Sequence, residues 1–185
     1  NTTSKTHLSV SLLLAALLAA CQSPAGPGAA RSAAAAVVAV AEIKPTAAAA
    51  GVQLNPSGSV TFTQSGSSKV LVEARIAGLK PNAEHGFHVH EVADCSGDGT
   101  KTGAHFNPDS HPHNHPAQGA RHAGAFFNVK TDANGVGTLR QEADTVTLTP
   151  GKYSIVGKPL IVHRDADDYQ SQPLGNAGPR VACGL

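Results

Sequence analysis

The stretch Gly86-Phe87-His88-Val89-His90 decides how this chain is read. Side chains alternate across a β-strand, so residues two apart share a face. A strand here aims the imidazoles of His88 and His90 one way and Val89 the other. Two neutral imidazoles on one rigid face make half of a four-nitrogen metal site. Nitrogen ligands in a flattened arrangement suit Cu(II) best among the common metals. Eight of the ten histidines fall between His85 and His122, and another, His163, ends the strand-like run Leu160-Ile161-Val162-His163. The plainer alternative is a histidine-rich surface loop beside an unrelated strand. Such clustering of a rare residue argues against it.

Outward from that stretch, the chain reads as short strands and turns. Val37, Val38, Val40 and Ile43 suggest a strand ending before Pro45, and 59–64 suggests a second. In 69–76, Val70, Val72, Ala74 and Ile76 alternate with Leu71, Glu73 and Arg75, which predicts one buried face. Gly78 and Pro81 mark a turn before the histidine strand. Strands are expected over 126–131, 136–140, 145–148 and 160–163, with Asp132-Ala133-Asn134-Gly135 a hairpin turn. Residues 91–121 carry neither a helical nor a strand period. A loop of that length inside a compact domain is usually functional. A second long loop, rich in Asp, Gly and Pro, runs over 164–179 before Val181 and Ala182 close the last strand. About eight short strands at regular spacing predict an all-β sandwich or flattened barrel.

Composition supports this reading and excludes others. Charged residues are 15%, aromatics 4%, with 19 Gly and 12 Pro, a mix that favours turns and strands over helices. The formal net charge of +1 leaves no basic footprint for nucleic acid. Any pull on an anion must therefore be local. Cys95 and Cys183 are far apart and neither has a CxxC partner, so metal ligation by them is the weaker reading. In an exported protein a disulfide is the default. It would close a long loop, for which the chain-entropy model gives roughly 4–5 kcal/mol.

Export is the expectation at the N-terminus. Residues 1–20 combine Lys5 with the apolar run from Leu8 to Ala20, too short to span a bilayer comfortably. Leu18-Ala19-Ala20-Cys21 resembles a bacterial lipobox, which implies diacylation of Cys21 and a membrane anchor. Residues 21–35, mostly Ala, Gly, Pro and Ser, read as a flexible tether, and 36–185 as the folded domain. The expected location is the cell envelope, facing a periplasm or the exterior. The chain stops shortly after Cys183, and a monomer is preferred over a dimer.

Five ordered motifs carry a family resemblance: GFHVHE from Gly86, GAHFNP from Gly103, RHAG from Arg121, IVHRDADD from Ile161 and GNAGPRVACG from Gly175. Together they resemble the copper/zinc superoxide dismutases, densely from Gly86 onward. The resemblance implies a Greek-key β-sandwich. It also implies an oxidoreductase whose copper takes an electron from one superoxide anion, releasing dioxygen. The electron then passes to a second superoxide, which leaves with two protons as hydrogen peroxide.

Carried over by motif, the copper ligands are His88, His90, His105 and His163. His105 also bridges to zinc and serves catalysis by moving a proton. Arg180 matches a catalytic arginine at the mouth of the copper channel, where a fixed cation docks a small anion. Asp167 matches a carboxylate that links a copper and a zinc histidine. Arg121 and Asp144 resemble a structural ion pair, and 169–178 is poor in the charges that would guide substrate. The zinc set would be His105, His113 and His122, but the aspartate of the family pattern falls on Ala125. A structural zinc wants four ligands. His111, His115 or Asp109 could substitute, although solvated loop histidines are the preferred reading of the first two. The chain therefore reads as copper-only or weakened in zinc. His85 is expected near the surface, with no ligand role. The alternative function is a non-catalytic envelope copper/zinc-binding protein.

Overall fold

The computed structural model describes residues 35–66 and 69–185. The export signal, most of the tether and Cys21 lie outside the described residues, as does part of the turn over 65–68. The described residues form nine strands: β1 Val37–Pro45, β2 Ser57–Gln64, β3 Val70–Ala77, β4 Glu84–His85, β5 Phe87–Val89, β6 Val129–Thr131, β7 Gly137–Ala143, β8 Leu160–His163 and β9 Arg180–Gly184. All pair antiparallel in one sheet of order β4-β6-β7-β3-β2-β1-β9-β8-β5. The two terminal strands of that order, β4 and β5, are consecutive in sequence and separated only by Gly86. The sheet thus curls into a nearly closed barrel whose seam is Glu84–Val89.

Gly86 has no room for a side chain: a Cβ there would meet the Ala177 Cβ at 2.8 Å. Its amide donates to the Asp165 carbonyl at 2.8 Å, and its carbonyl accepts from the His163 amide at 2.8 Å. The seam is thereby bonded to β8 and the second long loop.

Alternation sets the core. In β3, Val70, Val72, Ala74 and Ile76 are buried while Glu73 and Arg75 are exposed. Opposite them in β2, Val60 pairs Ala74 and Phe62 pairs Val72. Fully burying a Val or Ile is worth about 1.5–3 kcal/mol, so a one-residue slip, which would turn the whole set outward, is strongly disfavoured. Phe126 completes the core between Phe87 and Phe62, with ring centroids 5.6 and 6.3 Å away.

Three local expectations differ. Residues 145–148 form no strand; the segment makes only an isolated bridge between Thr147 and Ser154. Val146 and Leu148 are buried as the alternation requires. Side chains take part of the backbone bonding, however: the Leu148 amide donates to Gln64 Oε1 and Thr145 Oγ1 donates to the Ala123 carbonyl. The strand expected over 126–131 shrinks to β6 for the same reason. There the amides of Phe127 and Asn128 donate to Gln141 Oε1 and the Tyr169 hydroxyl. A one-turn helix, Ala47–Gly51, follows β1 without any hydrophobic period to announce it.

Candidate metal centre

The two imidazoles of the histidine strand are fully buried, at 0% exposure each. β5 is covered on both faces: Val89 packs into the core, while His88 and His90 lie under the two long loops. His90 forms an antiparallel bridge with His105, which brings the 91–121 loop onto the strand. His163 arrives from the end of β8, where the register with β9 shifts. The ligand-capable atoms of His88, His90, His105 and His163 all lie within 4.8 Å of one another.

The ring nitrogens are sorted by their partners. His90 Nδ1 and His163 Nδ1 donate to the carbonyls of Gly103 and Gly178, at 3.0 and 2.9 Å. His88 Nε2 donates to Asp167 Oδ2 at 2.6 Å. A carbonyl or carboxylate oxygen can only accept, so each bond fixes the proton on that nitrogen and leaves the other as a lone pair. The nitrogens left over are His88 Nδ1, His90 Nε2, His105 Nε2 and His163 Nε2, all buried and without a hydrogen-bond partner. Burial above all, reinforced by the neighbouring histidines, holds His88, His90 and His105 well below the ordinary histidine range. Burial also pulls His163 down to about 4. Four neutral rings with converging lone pairs fit a cation.

A second group adjoins the first through His105. His105, His113 and His122 also place their ligand-capable atoms within 4.8 Å of one another. Nδ1 of His105 and Nδ1 of His122 face each other at 3.1 Å, and His113 Nδ1 is buried without a partner. Burial first, then His113, lowers His122 to about 4. The outer nitrogen of His113, Nε2, donates to Asp167 Oδ1 at 2.8 Å. One buried carboxylate thus orients a ring in each group.

The residues weighed as a fourth member of the triad do not join it. Ala125 is buried and bridges His88. His111 is exposed, with Nδ1 donating to the Arg121 carbonyl at 3.2 Å. Asp109 accepts from Lys152 Nζ at 2.6 Å and from the Tyr153 hydroxyl at 3.1 Å. His115 is not a solvated loop residue but half-buried, its ring 4.6 Å from that of Tyr169 and 5.5 Å from that of Phe127. Among the described residues the triad gathers no carboxylate.

His85 corrects an expectation: it is wholly buried at the seam, and its Nδ1 donates to the His163 carbonyl at 2.8 Å. Its position beside Gly86 looked like a strand end at the surface, but barrel closure covers that end. Arg121 pairs with Asp144, and its Nη1 donates to the Gln118 carbonyl at 2.6 Å, bracing the loop. Cys95 and Cys183 form a disulfide with Cα atoms 5.7 Å apart. Arg180 opens β9, near enough to His90 and His163 to lower both. A cavity of about 360 Å³ lies over His105 and His122, walled by Glu91, Asn107, Ser110, Pro173 and Leu174.

Asn128 is a site residue that the sequence did not single out. It is buried, its Nδ2 donates to the Asp167 carbonyl and its Oδ1 accepts the Asp167 amide, at 3.1 and 3.0 Å. Tyr169 is another; its amide donates to Asp167 Oδ1 at 2.7 Å. Neither stands out locally, because both act on a residue about forty positions away or on a loop turn. A buried asparagine that replaces a strand bond is visible only in three dimensions.

Fold and site together define a β-barrel metalloprotein with two abutting histidine clusters that share one ring. Residues 56–185 match the copper/zinc superoxide dismutase (SODC) family, and the chain belongs to it. It is 45% identical over 138 residues to "Superoxide dismutase [Cu-Zn]" of Yarrowia lipolytica, covering 70% of this chain and 88% of the relative. The protein of the same description from Saccharomyces cerevisiae is 41% identical with the same coverage. Among solved structures, the clock protein EA4 superposes with a TM-score of 0.70 at 39% identity, covering 80% of this chain and 92% of that one. A double mutant of a SOD-like protein from Bacillus subtilis gives 0.68 at 28% identity, covering 78% and 94%.

Proposed function

We propose that this chain is a copper-dependent superoxide dismutase, with copper held by His88, His90, His105 and His163. The observation that carries the reading is the set of four buried, unpartnered imidazole nitrogens whose opposite nitrogens are nearly all committed to fixed acceptors. Such a set is costly to leave empty of a cation, since each unpaired buried polar group costs about 1–3 kcal/mol. When bound, copper supplies the one-electron chemistry, accepting an electron from one superoxide and returning it to another.

The protein's part is placement, charge and protons. Strand and carbonyl bonds hold His88, His90 and His163 rigidly. His105 differs, because its Nδ1 faces another imidazole and not an oxygen. No oxygen fixes its tautomer, so its single proton can sit on Nδ1, leaving Nε2 free to hold copper, or on Nε2, from which it can be passed on. Arg180 supplies a fixed cation next to His90 and His163, which draws superoxide to the centre. The cavity over His105 and His122 is lined by the anionic Glu91 and by no Lys or Arg, so the attraction for superoxide falls to Arg180 beside the copper histidines.

The triad His105, His113 and His122 is the zinc set in this reading, with Ala125 where a carboxylate would complete a closed site. Three histidines hold zinc more weakly than four ligands would. We place the protein outside the cytoplasm, anchored in the cell envelope through a lipid on Cys21 and removing superoxide there.

The test is metal content by mass spectrometry on a copper- and zinc-reconstituted sample, with dismutase turnover measured in the same tube. One copper per chain with turnover is the expected result. Stoichiometric copper without turnover would leave metal storage as the better account.

A further inference from the structure

We infer that Thr102 is a positioning residue: it holds the Arg180 guanidinium beside His90 and so sets how tightly the centre binds small anions. The inference rests on the copper-site reading above. Thr102 ends the 3-10 turn Thr100–Thr102 in the first long loop and is fully buried, at 0% exposure. A buried hydroxyl needs partners, and this one has three neighbours. Its hydrogen is donated to the Gly99 carbonyl at 2.7 Å. Its oxygen accepts from Arg180 Nη1 at 2.8 Å. His90 Nδ1 lies 3.4 Å away, its main acceptor being the Gly103 carbonyl of the very next residue. Residues 102 and 103 thus hold both the cation and one of the metal-facing rings.

The geometry leaves the working end of the arginine free. Among the described residues, every side-chain hydrogen bond of Arg180 runs through Nη1, to Thr102 Oγ1 and to the carbonyls of Gly99 and Thr100 at 3.1 and 3.3 Å. Nη1 has two hydrogens for these three acceptors, and the hydroxyl is the nearest. Nε and Nη2 remain to receive an anion. The seat is tight: Gly99 has φ +82°, and a Cβ on it would meet the Arg180 Cβ at 3.0 Å. The turn is held in turn by Asp98, whose Oδ1 accepts from the Thr100 amide and hydroxyl at 3.0 and 2.6 Å. The Val92 amide donates to the Thr102 carbonyl at 3.0 Å. On the other side, Thr46 Oγ1 donates to the Arg180 carbonyl at 2.5 Å. The backbone of Arg180 is fixed by Thr46, and its head group by Thr102.

The experiment is azide titration of the copper-loaded full chain, followed by the Cu(II) absorption and EPR spectra, on the wild type, T102V, T102A and T102S. Losing a hydrogen bond to a charged donor should raise the azide dissociation constant about tenfold in T102V and T102A. T102S keeps the hydroxyl and should stay within about twofold of wild type. In an R180M background, T102A should add nothing further. A residue that merely stabilises the turn would change unfolding temperature without moving azide affinity. Wild-type azide affinity in T102V or T102A would overturn the proposal, as would a loss in T102S equal to that in T102A. Superoxide turnover by the wild type is read separately, so failure of the dismutase reading is distinguishable from failure of this one.

Discussion

Replacing Asp167 with Asn should weaken the triad far more than the copper set. The carboxylate is 2% exposed and accepts three hydrogens: His88 Nε2–H on Oδ2, and His113 Nε2–H and the Tyr169 amide on Oδ1. An asparagine amide has one oxygen, so one imidazole N–H would meet an NH₂ group, donor against donor. That ring must rotate or move its proton to the metal-facing nitrogen, and either change spoils it as a ligand. Which ring yields follows from how each is held otherwise. His88 sits on β5, paired with Ile161, and its ring stacks on His105 at 3.9 Å. His113 sits on a loop, and Asp167 is the one hydrogen-bond partner of its ring among the described residues. Asp167 is likewise the one hydrogen-bond partner of the His88 ring among the described residues, so the backbone decides. The loop residue His113 should give way, and the Tyr169 amide, also on a loop and also bonded to Oδ1, yields with it. The triad then keeps two ligands of three, whereas the copper set keeps at least three of four. Loss of an orienting carboxylate costs roughly 10–100-fold in metal affinity, or about 1.4–2.8 kcal/mol. The upper end is expected for Zn²⁺ at the triad and the lower end, or less, for Cu²⁺. Competition with a chromophoric chelator measures both constants on the same variant. Equal losses, or a larger loss for copper, would refute the argument that strand anchoring protects His88.

Three further outcomes follow from the same geometry. Ala125→Asp should return a carboxylate to the triad and tighten Zn²⁺ at least about tenfold, measured by the same chelator competition; an unchanged constant would mean that position 125 does not reach the metal. In the metal-free protein, His163 titrates at about 4 when folded, against about 6.5 unfolded. The unfolded chain takes up the proton first, so stability should hold above about pH 6.5 and fall by about 3 kcal/mol from this residue as pH drops to about 4. Urea midpoints that stay flat across that window would contradict the buried, neutral ring. Opening the Cys95–Cys183 bond, which closes an 88-residue separation, should cost roughly 4–5 kcal/mol in thermal unfolding. It should also weaken azide binding, because Cys95 and Cys183 flank the turn and strand that seat Arg180.

The shared face of His88 and His90 was legible because strand alternation is a local rule; His105 and His163, which gather with them in space, were reached only through the motif resemblance. The fold class was legible from the same alternation in Val70–Ile76 and from the Asp132–Gly135 turn, where Asp132 Oδ1 accepts the Asn134 and Val136 amides at 2.8 and 3.0 Å. His85 was misread because its burial comes from closure of the barrel, a long-range event. The strand over 145–148 was misread because alternation reports burial, not the source of backbone partners; side chains supplied part of them there. Thr102 and Asn128 were invisible for a similar reason. A Thr in a Gly-rich loop and an Asn after two phenylalanines have ordinary solvated readings until the loops are folded over them.

The seam of the barrel and the metal site are the same place, and this links binding to folding. β4 and β5 end the strand order yet are adjacent in the chain, so little ladder bonding closes the barrel there. Closure depends instead on β8 through three pairs with β5, and on the His88–Ala125 and His90–His105 bridges. The four histidines proposed to hold copper come from those same pieces: two from β5 and its end, one from β8, one from the first long loop. A cation held by them ties strand, strand and loop across the least bonded part of the sheet. Binding free energy then adds directly to folding free energy. The metal-free seam should accordingly be the first part of the barrel to open, with exchange of the Val89 and His90 amides accelerated ahead of those in β2 and β3. That order would reverse only if the disulfide and loop bridges, without a metal, already closed the seam.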